Sequence, residues 1–244
     1  MAEITEQVSS SINALTQQFD IIANNMANVS TAGFKRRCTD FVKSLAELQN
    51  NPAEDSTETV ELNSAIDFSQ GAITQTGAPL DFAIFGKGFF VIETTEGLRY
   101  TRNGVFHLTS SGQVVDSSER IVSGQAGPIT IPSGVSATQL SVAGDGTVSA
   151  GGVSVGKFQI VDFKDNEGKL VPTGFNCFMM PDENIKPTAA ENASVRQGYQ
   201  ESSNVRIVDE LVDMIMVTRL YEADMKLLSA RTEASKSIMS VAMG

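Results

Sequence analysis

Side chains able to do acid–base, nucleophilic or metal chemistry are few in this chain and poorly placed for it. His107 is the only histidine. Val105, Phe106 and Leu108 around it read as a strand, and no metal-ligand spacing involves it. Cys38 and Cys177 are too few and too far apart for a zinc site or a disulfide framework, and read as two small buried side chains. Gly86-Lys87-Gly88 lacks the upstream glycine and the following Ser or Thr of a phosphate-binding loop. Aspartates are plentiful, but no pair is singled out by the apolar setting that glycoside hydrolysis needs. Asn28-Val29-Ser30 and Asn192-Ala193-Ser194 fit the N-glycosylation pattern, which is a weak signal. These residues predict no enzyme: no catalytic group, no metal, no cofactor and no small-molecule substrate.

The chain is patterned for contact instead. Every glycine except Gly33 and Gly244 lies between Gly71 and Gly198, and every proline between Pro52 and Pro187. Both ends are thus free of helix breakers, and both carry a seven-residue apolar rhythm. Val8, Ile12, Leu15, Phe19, Ile22, Met26 and Val29 follow alternating spacings of four and three. Ile207, Leu211, Met214, Thr218, Tyr221, Met225 and Leu228 do the same at the other end, and weaker positions continue it. Such a repeat puts one stripe on one helix face, where a partner helix can cover it. These apolar residues form the expected assembly seam. Tyr221 adds a hydroxyl that needs a partner.

Between the ends the rhythm changes. Short apolar runs from Ile66 onward are cut by turn residues, with Asn103-Gly104 and Asp145-Gly146 as favoured two-residue hairpin turns. The predicted fold class is α+β: long N- and C-terminal helices pairing as a coiled coil, with a central antiparallel β-rich domain. Its parts are an N-terminal helix over 1–34, a connecting segment over 35–70 that is partly extended or mobile, a β-rich domain over 71–200 and a C-terminal helix over 201–244. Phe41, Leu45 and Leu48 could continue a helical face. Residues 50–64, with Pro52 and four acids, read as a mobile or extended connection. Ser202-Ser203-Asn204 offers N-cap candidates for the second helix, and Gly33 a left-handed stop for the first. One apolar stripe covered by one partner leaves a terminal helix marginal against the entropy of ordering it, so the ends are expected to order on assembly.

Charge narrows the partners. A net charge of -11 argues against nucleic acid, because phosphate contacts need clustered Lys and Arg. Lys35-Arg36-Arg37 is the one tight basic cluster and reads as a solvated turn past a helix end. No run approaches the ~18–20 apolar residues that span a bilayer. The first Lys or Arg is Lys35, the wrong layout for a cleavable secretory signal.

The stretch Ile22-Ala23-Asn24-Asn25-Met26-Ala27-Asn28-Val29-Ser30-Thr31-Ala32-Gly33-Phe34-Lys35 resembles the N-terminal signature of bacterial flagellar rod and hook proteins. Thr76 to Ile84 with Gly88-Phe89-Phe90-Val91 is similar to that family's central entry motif, and Tyr100 to Phe106 to its hairpin motif. Glu201-Ser202-Ser203-Asn204-Val205, followed by Glu210 to Ile215 and Arg219 to Glu222, resembles its C-terminal helix. The family motif residues are therefore Asn24, Asn25, Asn28, Gly33, Phe34, Asn204 and Val205. The start departs from the pattern, with Met1-Ala2-Glu3-Ile4-Thr5-Glu6 in place of a short apolar lead.

The resemblance implies a structural subunit of the flagellar basal-body rod that polymerises through its terminal helices. Its partners would be itself, other rod and hook axial proteins and the flagellar type III export apparatus. Gly127 to Pro132 and Val155 to Phe163 lie closer to the proximal rod type than to the distal one. Asn24, Asn25 and Asn28 are poor helix formers whose amides could bridge neighbouring subunits or cap an early helix end. Arg102 is expected to brace the hairpin turn beside it. The runner-up reading is a β-rich adhesin or fibre module on a coiled-coil stalk.

Overall fold

The computed structural model describes residues 2–39 and 64–243, with side chains over 8–39 and 64–234. The expected helix through Phe41, Leu45 and Leu48 lies outside the described residues, as does the expected connection over 50–64 apart from Ser64. The chain forms two compact units. One holds helix α1 (Ala2–Ala27), the antiparallel strands Arg37–Thr39 and Ser64–Ile66, and helix α2 (Ile207–Met243). The other holds residues 28–36 and 67–205.

The second unit is built around a hairpin, Phe89–Thr94 paired with Gly97–Thr101. Phe89, Phe90, Val91 and Ile92 are all buried, so this strand is covered on both faces and reads as a continuous apolar run. Phe90 and Ile92 join the main core with Phe82, Phe106 and Phe158. Phe89 meets Phe68, Phe163 and Phe178 edge-on. Ile121–Gly124 and Ile160–Asp162 extend the sheet on one side, and Cys177–Met179 followed by Val171–Gly174 on the other. Two pairs complete the frame: Phe82–Phe85 with Ser194–Gln197, and Ile73–Gln75 with Tyr199–Glu201. A separate three-stranded sheet runs Leu140–Val142, Thr147–Ala150, Val153–Lys157.

The expected fold class is overturned. The described chain is β-rich, nineteen strands against two α-helices, and its helices do not form a coiled coil. Within the first unit the helix contact is a small cluster, Leu15, Ile22 and Val217, with Met26 and Met214 half-buried against it. Four residues of the expected C-terminal stripe, Ile207, Leu211, Tyr221 and Met225, are exposed, and so is Phe19 on α1. The physical reason is that α2 carries apolar residues all round. Val208, Val212, Ile215, Met216, Leu220 and Leu227 are exposed as well, so a seven-residue rhythm picks out one of several apolar rows rather than a unique seam.

Local signals also resolve differently from expectation. Asn103-Gly104 does not close a two-residue hairpin; that turn is Thr95-Glu96, where Thr94 pairs with Gly97. Gly104 instead approaches the strand Phe82–Phe85, its carbonyl accepting from Phe82 N at 2.9 Å. A side chain on Gly104 would run into the Phe82 carbonyl, with a Cβ 1.9 Å from the oxygen. Helix α1 stops at Ala27, among the asparagines that disfavour helix, rather than running on to the expected stop at Gly33.

Candidate functional site

Three passages of chain, 31–36, 67–72 and 201–205, come together in the second unit, and few of their polar groups are satisfied within one passage. Gly33 N donates to Glu201 O at 2.7 Å, Asp67 N to Arg36 O at 2.9 Å and Ser202 N to Ala72 O at 2.8 Å. Asn204 stitches all three. Its Oδ1 accepts from Arg36 N at 2.7 Å, and its Nδ2 donates to Asp67 O at 2.8 Å and to Ser69 O at 3.2 Å. The backbone groups of such irregular passages must find partners once buried, and here they find them in one another. Asn204 is thus a cross-link between passages rather than an N-cap of α2.

Gly33 makes this approach possible. It sits at φ +66°, and a Cβ there would lie 2.4 Å from Asn103 N and 2.5 Å from Arg102 C. Only a residue without a side chain fits both the left-handed conformation and the backbone contact. Asn176 Nδ2 holds the same passage by donating to Ala32 O at 2.7 Å. Phe34 and Val205 are buried beside these links in sequence.

At the centre is a buried charge cluster. Lys35 Nζ and Glu201 Oε1 are 2.6 Å apart with both side chains fully out of solvent. Lys35 Nζ also donates to Ser69 O at 2.6 Å, and Glu201 Oε1 accepts from Gly71 N at 3.1 Å. Arg102 Nη1 lies 3.5 Å from Glu201 Oε2, while Nη2 donates to Gly86 O at 2.7 Å and the guanidinium sits 5.5 Å from the Phe89 ring centroid. Burial pushes the Lys35 ammonium below its ordinary value, against the opposing pull of Glu201. The expected solvated turn at Lys35 is therefore corrected, as is the bracing role of Arg102: both are buried partners of one carboxylate.

A second polar node lies within the first unit. Asn25 is 1% exposed. Its Oδ1 accepts from Arg37 N at 2.9 Å and its Nδ2 donates to Arg37 O at 2.8 Å, so the amide seats the strand Arg37–Thr39 on α1 as a paired backbone would. The same Nδ2 reaches Glu210 Oε2 of α2 at 3.1 Å. Ser11 Oγ donates to Asp224 Oδ2 at 2.7 Å further along. Asn28 accepts from Thr31 Oγ1 at 3.1 Å in the turn after α1, and Asn24 is half-buried.

Of the other expected seam residues, Val8, Leu15 and Ile22 are buried; Ile12, Met26, Val29, Met214 and Leu228 are half-buried. Sequence reasoning missed Lys35, Arg102, Glu201 and Glu210 as structural charges. The available signal was that each stands inside or beside a family motif, where a solvated role is a poor explanation. Among the described residues no group of three His, Cys, Asp or Glu is placed to hold a metal. His107 is exposed, Cys177 is buried and Cys38 half-buried.

Comparison with known proteins places these features. Residues 9–35 match the family described as flagella basal body rod protein. Residues 83–150 match the flagellar hook protein FlgE/F/G D1 domain, and residues 196–241 the flagellar basal body rod FlgEFG protein C-terminal region. The flagellar basal-body rod protein FlgF of Caulobacter vibrioides is 32% identical over 228 residues, covering 91% of each chain. FlgG of Buchnera aphidicola subsp. Acyrthosiphon pisum is 32% identical over 243 residues, covering 89% of this chain and 91% of its own. FlgF of Salmonella typhimurium is 29% identical over 227 residues, 87% of each. The three matched segments contain both asparagine nodes, the Gly33 approach and the Lys35–Glu201 pair, and this chain belongs to the flagellar basal-body rod protein family.

Proposed function

We propose that the chain is a structural, non-enzymatic subunit of the flagellar basal-body rod, built into the hollow shaft by contacts with copies of itself and with other axial proteins. The observation that carries this reading is the apolar surface left open on α2. Val208 is 65% exposed, Met216 56%, Ile215 and Leu220 54% each. Exposed apolar area on this scale marks a surface that associates. Phe19, Ile207, Leu211, Tyr221 and Met225 belong to the same set and are proposed as contacts to neighbouring subunits. A groove of about 280 Å3 in the first unit, lined by Leu15, Thr16, Phe19, Val217, Thr218 and Tyr221, adds to it. Export through the flagellar type III apparatus is part of the same proposal. The adhesin reading is not favoured, since rod-family matches account for both ends and the centre of the chain.

The test is complementation. A non-motile strain deleted for this gene should regain motility with the wild-type chain, and the chain should co-purify with intact basal bodies. A tagged chain that restores motility yet is absent from purified basal bodies would refute the assignment.

A further inference from the structure

The buried cluster in the second unit links parts of the chain that are far apart in sequence, and the links are mutual. Lys35 belongs to the passage that follows α1, Glu201 to the passage that precedes α2, and Arg102 to the end of a core strand. Among the described residues, Lys35 Nζ donates to Ser69 O and to the Glu201 carboxylate. The Glu201 carboxylate is shared by Lys35, Gly71 N and Arg102. A buried charge whose partner is missing is strongly unfavourable, whereas the completed group is tolerated. Neither passage can therefore settle with its charge alone.

We propose that Lys35, Glu201 and Arg102 form a latch that makes docking of residues 33–36 conditional on docking of residues 201–204, and the reverse. The backbone bonds follow the charges. Gly33 N reaches Glu201 O, Asn204 N reaches Phe34 O at 3.4 Å, and Arg36 N reaches the Asn204 side chain. Release of either passage frees donors and acceptors on the other. The core hairpin Phe89–Thr94 and Gly97–Thr101 holds itself through its own strand pairing and the aromatic cluster, so it stays closed when the latch opens. A chain without Glu201 in place leaves residues 33–36 unseated, so the two passages seat together. This goes beyond the rod assignment and does not rest on it, because the coupling is a property of the single chain.

The test is hydrogen–deuterium exchange on the purified full-length protein, comparing wild type with Glu201→Gln, Lys35→Met and the double variant. Glu201→Gln should speed exchange in peptides covering 33–36 by about tenfold or more, as loss of a buried charge partner opens the region locally. Lys35→Met should do the same to peptides covering 201–204. The double variant should be no looser than either single one, because both singles open the same latch. Peptides covering 89–101 should exchange as in wild type throughout. Three results would overturn the proposal: each variant loosening only its own passage, no change in either passage, or core-strand peptides loosening in step with them. Motility plays no part in this readout, so failure of the latch and failure of the rod assignment are separate outcomes.

Discussion

At the scale of single residues, the positions that matter most are those whose surroundings come from elsewhere in the chain. Gly33 was legible: a glycine isolated from all others, just beyond a helix, announces a left-handed residue, and its φ is +66°. Gly33→Ala should cost at least about 1–2 kcal/mol from the left-handed conformation alone, with the contact to the Arg102–Asn103 backbone adding to it. Urea unfolding of the second unit, followed by near-ultraviolet tyrosine signal, checks this. Lys35 was not legible, because its neighbours Arg36 and Arg37 make it look like part of a solvated basic turn. Its burial is supplied by Ser69 and Glu201, which no local window contains. Its pKa gives a test with a definite sign. Burial lowers it from the ordinary 10.5, Glu201 and Asp67 pull it up, and Arg102 adds to the lowering. The folded state then releases this proton at lower pH than the unfolded state does, so the unfolded chain binds more protons in the interval up to 10.5. Stability should rise with pH across that interval and be flat, for this group, below the folded pKa. Lys35→Met should remove that alkaline rise, as read from urea midpoints taken at a series of pH values. A wild-type chain that loses stability faster than Lys35→Met as pH climbs toward 10.5 would contradict the assigned shift.

At the scale of elements, the helical stretches could be read because both ends lack glycine and proline, but their faces could not. Periodicity assumes that one face is apolar and the rest is not. Helix α2 breaks that assumption, and the residue it buries against Leu15 and Ile22 is Val217, which the seven-residue rhythm skips. The asparagines of α1 were visible as odd choices for a helix, but their use was not: Asn25 replaces a backbone partner for Arg37, a long-range geometry with no local signature. The structure separates two substitutions that the rhythm treats alike. Ile22 is 4% exposed and Leu211 is 43% exposed. Ile22→Asp should put an unpaired charge in the helix cluster and destabilise the first unit by about 2–5 kcal/mol, from loss of the buried side chain and the cost of the carboxylate. In dilute solution, where the chain is monomeric, Leu211→Glu should leave the helical melt within a degree or two of wild type, as ordinary surface changes do, yet abolish motility in complementation. A swimming Leu211→Glu strain would remove the exposed face of α2 from the assembly surface.

At the scale of the molecule, the β-rich middle could be inferred from turn residues spaced between short apolar runs, whereas its strand order could not. Asn103-Gly104 has the composition of a hairpin turn, but its carbonyl is claimed by Phe82, a pairing that only the completed sheet provides. The balance between the two units has a measurable consequence. The second unit closes its own core around Phe82, Phe90, Phe106 and Phe158. The first rests on a few buried apolar residues and the polar links of Asn25 and Ser11 while leaving much of α2 open. Binding to a neighbour stabilises whatever surface it covers by mass action. Helical structure, followed by circular dichroism, should therefore melt at a temperature that rises with protein concentration. The aromatic signal of the second unit should melt at a temperature that does not. If both transitions move together with concentration, association covers the β unit as well, and the surface assigned to α2 is too small. If neither moves across the range in which the chain forms oligomers, the open apolar face is not what holds the copies together.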